Sequence, residues 1–494
     1  MPAPPSGIAP HTEVPAEHMH ASSPKTRTPP HAAPLPPESD GLERRGIERV
    51  PPHERNHLNL FDNFTLWLSA NLVISTVALG ALAIPVFHQG FWGGCADIVV
   101  FTALGTLPVA FFATLGPKLG LRQMTLSRFS FGWNGAKIMA LFNVAACIGW
   151  SAVSALIAAQ ILAALSGGRL PISFGVLIIA TLTTGVSLYG YRYVHRYERY
   201  AWLPMAAIFL ILALITLPEM RITPAADRGV EALAGWVSFG GVVFGAAIGW
   251  SSYAADYTVN QPEQTRGSHI FWLTFGGIFL PCVLLELLGM GLTTAGFQLP
   301  THQNGGGTLV ALALHPLGSL GSLLLVVLAL GMVANNIPND YSLGLSMQVL
   351  GRRFHRIPRA VWTLLGALCY VAIDLLAAHH FDALLANFLF VVAYWLGPWS
   401  IILILEHFRI RHGAYPAAEW DAPHALPIGW AALSAMGAGF LGVYLGAAQT
   451  LFTGPLARWL DPPNGMDVGF ELGVLLAALA YLVLRPWERR RFGR

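Results

Sequence analysis

The sequence predicts an all-α polytopic membrane protein. Apolar runs of membrane-spanning length recur from about Asn63 to Leu484, charge is scarce, and the cationic residues gather in every second connection. Mean hydropathy is +0.54, and 54% of residues are hydrophobic against 11% charged. A soluble chain carries roughly 25% charged residues to cover its surface, so a soluble enzyme or nucleic-acid-binding domain is excluded. Twelve spans follow from the run lengths, at about 63–87, 92–115, 136–165, 171–190, 200–217, 233–258, 271–297, 311–348, 360–378, 383–406, 427–450 and 468–485. Phe64 to Phe87 and Trp92 to Leu115 each exceed the ~20 residues a helix needs to cross about 30 Å of hydrocarbon. The eighth run is too long for one straight crossing, so it must bend, break or carry a surface helix.

Orientation follows from the cations. With the N-terminus in the cytoplasm, the inner connections collect Arg49 and Arg55, Lys118 to Lys137, Arg192 to Arg199, Arg266, Arg352 to Arg359, Arg409 and Arg411, and the run Arg489 to Arg491. The opposite side holds Arg169, Arg221, Arg228 and Arg458. This positive-inside bias predicts that both termini are cytoplasmic, in the plasma membrane. It also accounts for the net charge of +3 without any nucleic-acid partner.

Residues 1–46 are rich in Pro and His and poor in apolar side chains, so they are expected to be a disordered cytoplasmic tail. His18 and His20 within it could bind a metal, but a solvated linker is the favoured reading, and no metal or cofactor is expected. The transport core is placed at 47–406, and two added helices with a basic C-terminus at 407–494. Cys95, Cys147, Cys282 and Cys369 are isolated in apolar spans and read as small core residues. No P-loop, HExxH or GxSxG motif occurs, which argues against ATP-driven transport and intramembrane hydrolysis. No enzyme activity and no obligate protein partner is expected.

Polar ligands inside a bilayer are commonly held where helices are interrupted, because the freed backbone groups need partners. Span one, FTLWLSANLVISTVALG, places Ser69, Asn71, Ser75, Thr76 and Gly80 in an otherwise apolar run. Span six, GGVVFGAAIGWSSYAADYTVNQP, does the same with Gly245, Gly249, Ser251, Ser252 and Asp256. The two are five spans apart, which fits an inverted 5+5 repeat with broken helices one and six. Span eight carries Asn335, Asn336, Asn339 and Asp340 around Pro338. So many buried amides are costly unless they face partners or a cavity. Helix–helix hydrogen bonding is the alternative, and a polar cavity the better account. Trp150 and Trp250 each sit between Gly and Ser, away from the predicted interfaces where aromatic belts occur. Two aromatic faces with amides suit a flat heteroaromatic ligand.

These strings resemble the purine–cytosine permease family, within the wider nucleobase:cation symporter group. IERVPPHER, WLSANLVISTVALG, GLRQMTLSRFSFGWNG, GWSAVSALIAAQ, GWSSYAADYTVNQP, NNIPNDYS and NFLFVVAYWLGPWSIILILEHF carry the likeness, over about residues 47 to 410. LSRFSFG and NNIPNDYS are its specific parts. The resemblance implies a leucine-transporter-like fold of twelve helices and a base sandwiched between tryptophans of helices three and six. Carried over, Trp150 and Trp250 are the stacking pair, Asn339 is the main hydrogen-bonding amide, Asn335 supports it, and Ser69 and Asn71 are candidates for the helix-one contact. Relatives place an Asn or Gln one turn after the helix-three tryptophan. Here that position is Ser154, and a hydroxyl makes no bidentate contact with a base edge. A ring other than cytosine is therefore open.

The resemblance also bears on the coupling ion. Sodium-coupled relatives use helix-one carbonyls and a hydroxyl pair on helix eight, at positions that correspond here to Val333 and Ala334. Neither has a side-chain oxygen, and hard cations want oxygen ligands. Proton coupling is therefore expected, with Asp97, Asp256, Glu286 and Asp340 as candidate carriers. Asp256 and Asp340 could equally cap helices or pair with loop arginines as gates. The GLRQMTLSRFSFG segment is expected to be a basic cytoplasmic loop, or else a surface helix gating the inner side. The whole reads as a proton symporter importing a nucleobase or related small nitrogenous ring. Alternatives are a sodium-coupled permease for hydantoin, allantoin or a vitamin-like ring, and, further off, a channel or a ligand-sensing transceptor.

Overall fold

The first span breaks where Asn71 interrupts it. The computed structural model describes residues 46–188, 191–225, 228–295, 305–377, 381–416, 418–450, 452–462 and 464–494. Residues 1–45, with His18, His20, Arg44 and Arg45, lie outside them. Helix α1 (Phe61–Asn71) ends as the Asn71 side chain donates to the Trp67 carbonyl at 2.8 Å, a local bond that competes with the helical ladder. Val73 is then extended, at φ −140° and ψ 159°, and α2 (Ile74–Gly80) leaves at a 60° bend.

The chain continues as α3 (Phe91–Ala113), α4 (Arg128–Leu165), α5 (Ile172–Ser187), α6 (Tyr191–Thr216), α7 (Val230–Ile248) and α8 (Gly267–Thr294). After these come α9 (Gly306–Leu314), α10 (Ser319–Val349), α11 (Arg359–Ala377), α12 (Phe381–Leu405), α13 (Trp430–Gly446) and α14 (Gly469–Phe492). Among the described residues, nine helical segments are long and apolar enough to cross a membrane, or ten with the bent α1–α2 pair. Two expected spans, the fourth and the eleventh, are the shorter apolar helices α5 and α13. Length and composition thus establish ten of the twelve expected crossings. The overlong eighth run divides at Gly318, whose φ of 58° separates the short α9 from α10.

The sixth span breaks as expected, but not into two helices. After Ile248 the chain passes into two 3-10 turns, Gly249–Ser252 and Ala254–Tyr257. Their backbone is buried, so its polar groups need protein partners. Segment 122–128 supplies them. Arg122 Nη1 donates to the Asp256 carbonyl at 2.8 Å, and the Gln123 side-chain oxygen accepts from the Ala255 amide at 3.2 Å. Arg122, Gln123, Thr125 and Arg128 are all buried. The expected loop or surface helix is therefore a wedge inside the protein, because only polar side chains can close the irregular turns opposite it.

Packing sorts the helices into two groups. Helices α1, α2, α3, α7 and α8 pack among themselves, as do α4, α5, α10 and α11. Each group combines two consecutive spans with the two that follow five later, the pattern of a 5+5 repeat. Helices α13 and α14 pack on one another, and α14 on α12.

Candidate substrate cavity

The two helix breaks and the middle of α10 line a common cavity. Trp150, Trp250, Asn71, Asn335 and Asn339 all line it. The glycines before the tryptophans make this possible. A Cβ on Gly149 would stand 2.1 Å from the Phe388 ring, and one on Gly249 would stand 2.9 Å from the Trp150 ring. The Trp250 indole N–H donates to Asn71 Oδ1 at 2.9 Å, tying the sixth span's break to the first's. Trp67 and Tyr253 meet the Trp250 ring edge-on, with centroids 5.3 and 5.5 Å away.

The amides are held by neighbours. Asn335 Nδ2 donates to the Ala70 carbonyl at 2.5 Å, beside the helix-one break, and Asn335 Oδ1 accepts from Ser154 at 3.2 Å. Ser154 thus stands behind Asn335 and does not itself line the cavity. Asn339 Oδ1 accepts from the Tyr253 hydroxyl at 3.0 Å, and its Nδ2 donates to Asn336 Oδ1 at 3.2 Å. Ser69 is buried but off the cavity.

The four carboxylates separate clearly. Glu286 lines the cavity and accepts from Thr102 at 3.1 Å. Asp340 lies behind the neighbouring Asn339, accepting from Ser151 and Ser187 at 3.3 Å each. Asp97 is fully buried on α3, away from the cavity lining. Asp256 Oδ1 accepts from the Gln123 amide at 2.7 Å, inside the wedge contact. Among the described residues no Lys or Arg lines the cavity, so the described lining offers stacking faces, amides and one carboxyl to a flat ligand.

Sequence reasoning missed Tyr253, Cys282 and the α12 residues Leu385 and Leu389, which also line the cavity. Tyr253 was hidden because its placement depends on the 3-10 turn, where its φ is −144°. Nothing in the apolar pattern of α12 marks the face that turns inward.

The family described as permeases for cytosine/purines, uracil, thiamine and allantoin matches residues 49–458. A purine-cytosine permease of Emericella nidulans is 40% identical over 463 residues, 92% of this chain and 90% of its own length. The chain belongs to this family. It is accordingly a multi-pass membrane permease and not an enzyme. A purine-cytosine permease of Saccharomyces cerevisiae is 38% identical over 92% of this chain and 87% of its own. A vitamin B6 transporter of the same yeast is 27% identical over 92% and 89%. Among solved structures, Mhp1, a nucleobase-cation-symport-1 family transporter closed around bromovinylhydantoin, superposes with a TM-score of 0.70, covering 92% of this chain and 97% of its own at 14% identity. That likeness bears on the fold alone, and it supports the leucine-transporter-like architecture with broken first and sixth helices.

Proposed function

We propose that this permease is a secondary active importer of a nucleobase or closely related nitrogenous ring, driven by protons across the plasma membrane with both termini in the cytoplasm. The observation that carries the reading is the cavity wall. Trp150 and Trp250 offer ring faces, Asn71, Asn335 and Asn339 offer amide edges, and the lining carries no cation among the described residues. A neutral planar base with donors and acceptors on its edge matches that set. The purine-cytosine permeases at 38–40% identity support the same substrate class.

Coupling to protons draws support from two features. The Ala70 carbonyl, at the break where sodium-coupled relatives offer helix-one oxygens, is occupied by the Asn335 amide, and Val333 and Ala334 present only alkyl groups. Glu286 at the cavity wall and Asp340 behind Asn339 are the carboxyls placed to load with a proton. Asp256 serves instead to seal the inner wedge. A second reading, a hydroxylated vitamin-like ring, is favoured by the vitamin B6 relative.

A thermal-shift screen of the detergent-purified protein tests this, because a ligand that binds only the folded state raises the melting point. The panel is cytosine, adenine, guanine, hypoxanthine, uracil, allantoin, hydantoin and pyridoxine, each in sodium or potassium at two pH values. The expected result is a shift with a nucleobase that ignores sodium and responds to pH. A shift that requires sodium overturns the coupling, and one with pyridoxine alone overturns the substrate class.

A further inference from the structure

Helix α11 carries a polar stripe that neither the cavity nor the wedge uses. Thr363, Tyr370 and Asp374 fall on one helix face, at 2, 0 and 0% exposure, while Leu364, Leu368 and Leu375 on the opposite face are 49–62% exposed. That face packs against α4, α5 and α10. A second stripe on α5 (Thr183, Thr184 and Ser187) is also buried. The two stripes converge on Asp340. Ser187 and Ser151 donate to its carboxylate, and Thr363 donates to its backbone carbonyl at 3.3 Å. Tyr370 lies beside Thr184 and within electrostatic reach of both Asp340 and Asp374.

The far end of this seam is unsatisfied. The Thr183 hydroxyl and both Asp374 oxygens are buried with no hydrogen-bond partner among the described residues, and the Tyr370 hydroxyl has only Thr184 beside it. Burying such groups unpaired is costly, and apolar residues would pack the seam without that cost. Intramembrane carboxylates of this kind mark ion pathways. Asp374 lies near the end of α11 opposite Arg359, and Tyr370 is one turn deeper, about 6 Å at 1.5 Å per residue. Asp340 is the next residue along α10 from the cavity amide Asn339.

We propose that Asp374, Tyr370 and Asp340 form a proton path to the transport site that runs beside the substrate cavity and not through it. The inference rests on the proton-coupled reading above and names the route. Asp374, protonated from its end of the helix, releases its proton towards Tyr370. Across water admitted among the unpartnered groups of the seam, since no direct hydrogen bond joins the three residues, the phenol accepts it and passes its own hydroxyl proton on to the Asp340 carboxylate. Asp340 becomes the neutral acid, Tyr370 is unchanged, and Asp374 is left as the carboxylate for the next proton. Besides these carboxylates, Cys147 on α4 is the titratable group facing Asp340, and Asp374 meets no charged partner among the described residues.

The experiment uses the full chain in proteoliposomes with radiolabelled cytosine and hypoxanthine. Net uptake driven by a pH gradient is compared with base-for-base exchange, which moves no net proton. Asp374→Asn should lower gradient-driven uptake more than tenfold while exchange stays within about twofold of wild type. Tyr370→Phe, which keeps the ring and removes only the hydroxyl, should do the same, and Asp374→Glu should restore part of the driven uptake. Driven uptake unchanged in a proton-coupled wild type overturns the path alone. Loss of exchange together with driven uptake, in variants with a wild-type melting point, overturns it too, because the residues would then serve binding. A wild type driven by sodium and indifferent to pH overturns both the path and the coupling beneath it.

Discussion

Trp250 does two jobs at the centre of the protein. Its ring lines the cavity, and its N–H holds Asn71 at the opposite break. Trp250→Ala therefore removes a stacking face and leaves an Asn71 oxygen short of a donor. Base affinity should fall at least tenfold, with a lower melting point, while Trp250→Phe should keep more of the affinity; direct binding measurements check both. Trp150 makes no comparable hydrogen bond, so Trp150→Ala should cost affinity with little change in melting. Ser154→Asn should move preference towards cytosine and purines, because a longer amide would reach past Asn335 into the cavity; competition assays across the base panel decide it, and an unchanged profile would count against that role. These residues were legible because Trp, Asn and Ser are conspicuous within apolar runs. Tyr253 was not, since its reach to Asn339 depends on backbone angles that composition does not encode.

At the scale of elements, α2 and α8 cross almost backbone to backbone. A Cβ on Gly80 would stand 1.9 Å from the Glu286 carbonyl, and one on Gly289 would stand 1.9 Å from that of Val77. Gly80→Ala should therefore destabilise by about 1–3 kcal/mol, as overpacking does, and displace Glu286 from the cavity wall. Gly185→Ala, with nothing within 4 Å of the new methyl, is the control, and melting curves compare them.

The segment from Gly46 to Arg55 is a second such element. Arg49 donates to the Leu119 carbonyl at 2.8 Å, Arg55 to those of Val50 and Pro117 at 2.9 and 2.6 Å, and Glu48 pairs with His355 at 3.1 Å. The hydrogen bond and charge of Glu48 raise the His355 value above the usual 6.5 against the opposing effect of burial. Burial pushes Glu48 up, but the His355 contact and backbone hydrogen bonds outweigh it and hold it low. A raised His stabilises fully below its unfolded value and loses that as pH climbs through its folded one. A lowered Glu loses its part as pH falls through its own folded value. The segment should therefore be held best in mildly acidic solution and loosen as pH rises past the His355 transition. Amide exchange in 46–55 that accelerates with pH beyond the base-catalysed intrinsic rate, with that excess abolished in Glu48→Gln, is the expected result.

Over the whole molecule, the cation bias predicts that both termini are cytoplasmic. A protease site added at the C-terminus should resist cleavage in intact cells and be cut after permeabilisation. The same cations have a second use that counting does not reveal. Arg55, Arg122, Arg128 and Arg485 are buried. Arg485 pairs with Glu406 at 3.1 Å and with Glu488 at 3.0 Å, locking α14 to the C-terminal end of α12. At the N-terminal end of α14, Asp467 accepts from Tyr394 on α12 and from the Ala448 amide of the two-residue strand Ala448–Gln449, which pairs with Phe452–Thr453.

By itself the sequence determined the membrane class, the places where the first and sixth spans fail, the tryptophans and asparagines that line the cavity, and the family. Each of these is a matter of composition or local spacing. The tertiary structure alone decided which carboxyl faces the cavity, that segment 122–128 is a buried wedge, and that Asp374 and Tyr370 align with Asp340. Those outcomes depend on helix rotation and on the path of the chain through its breaks. In spans apolar all round, hydrophobic periodicity does not record which face turns inward.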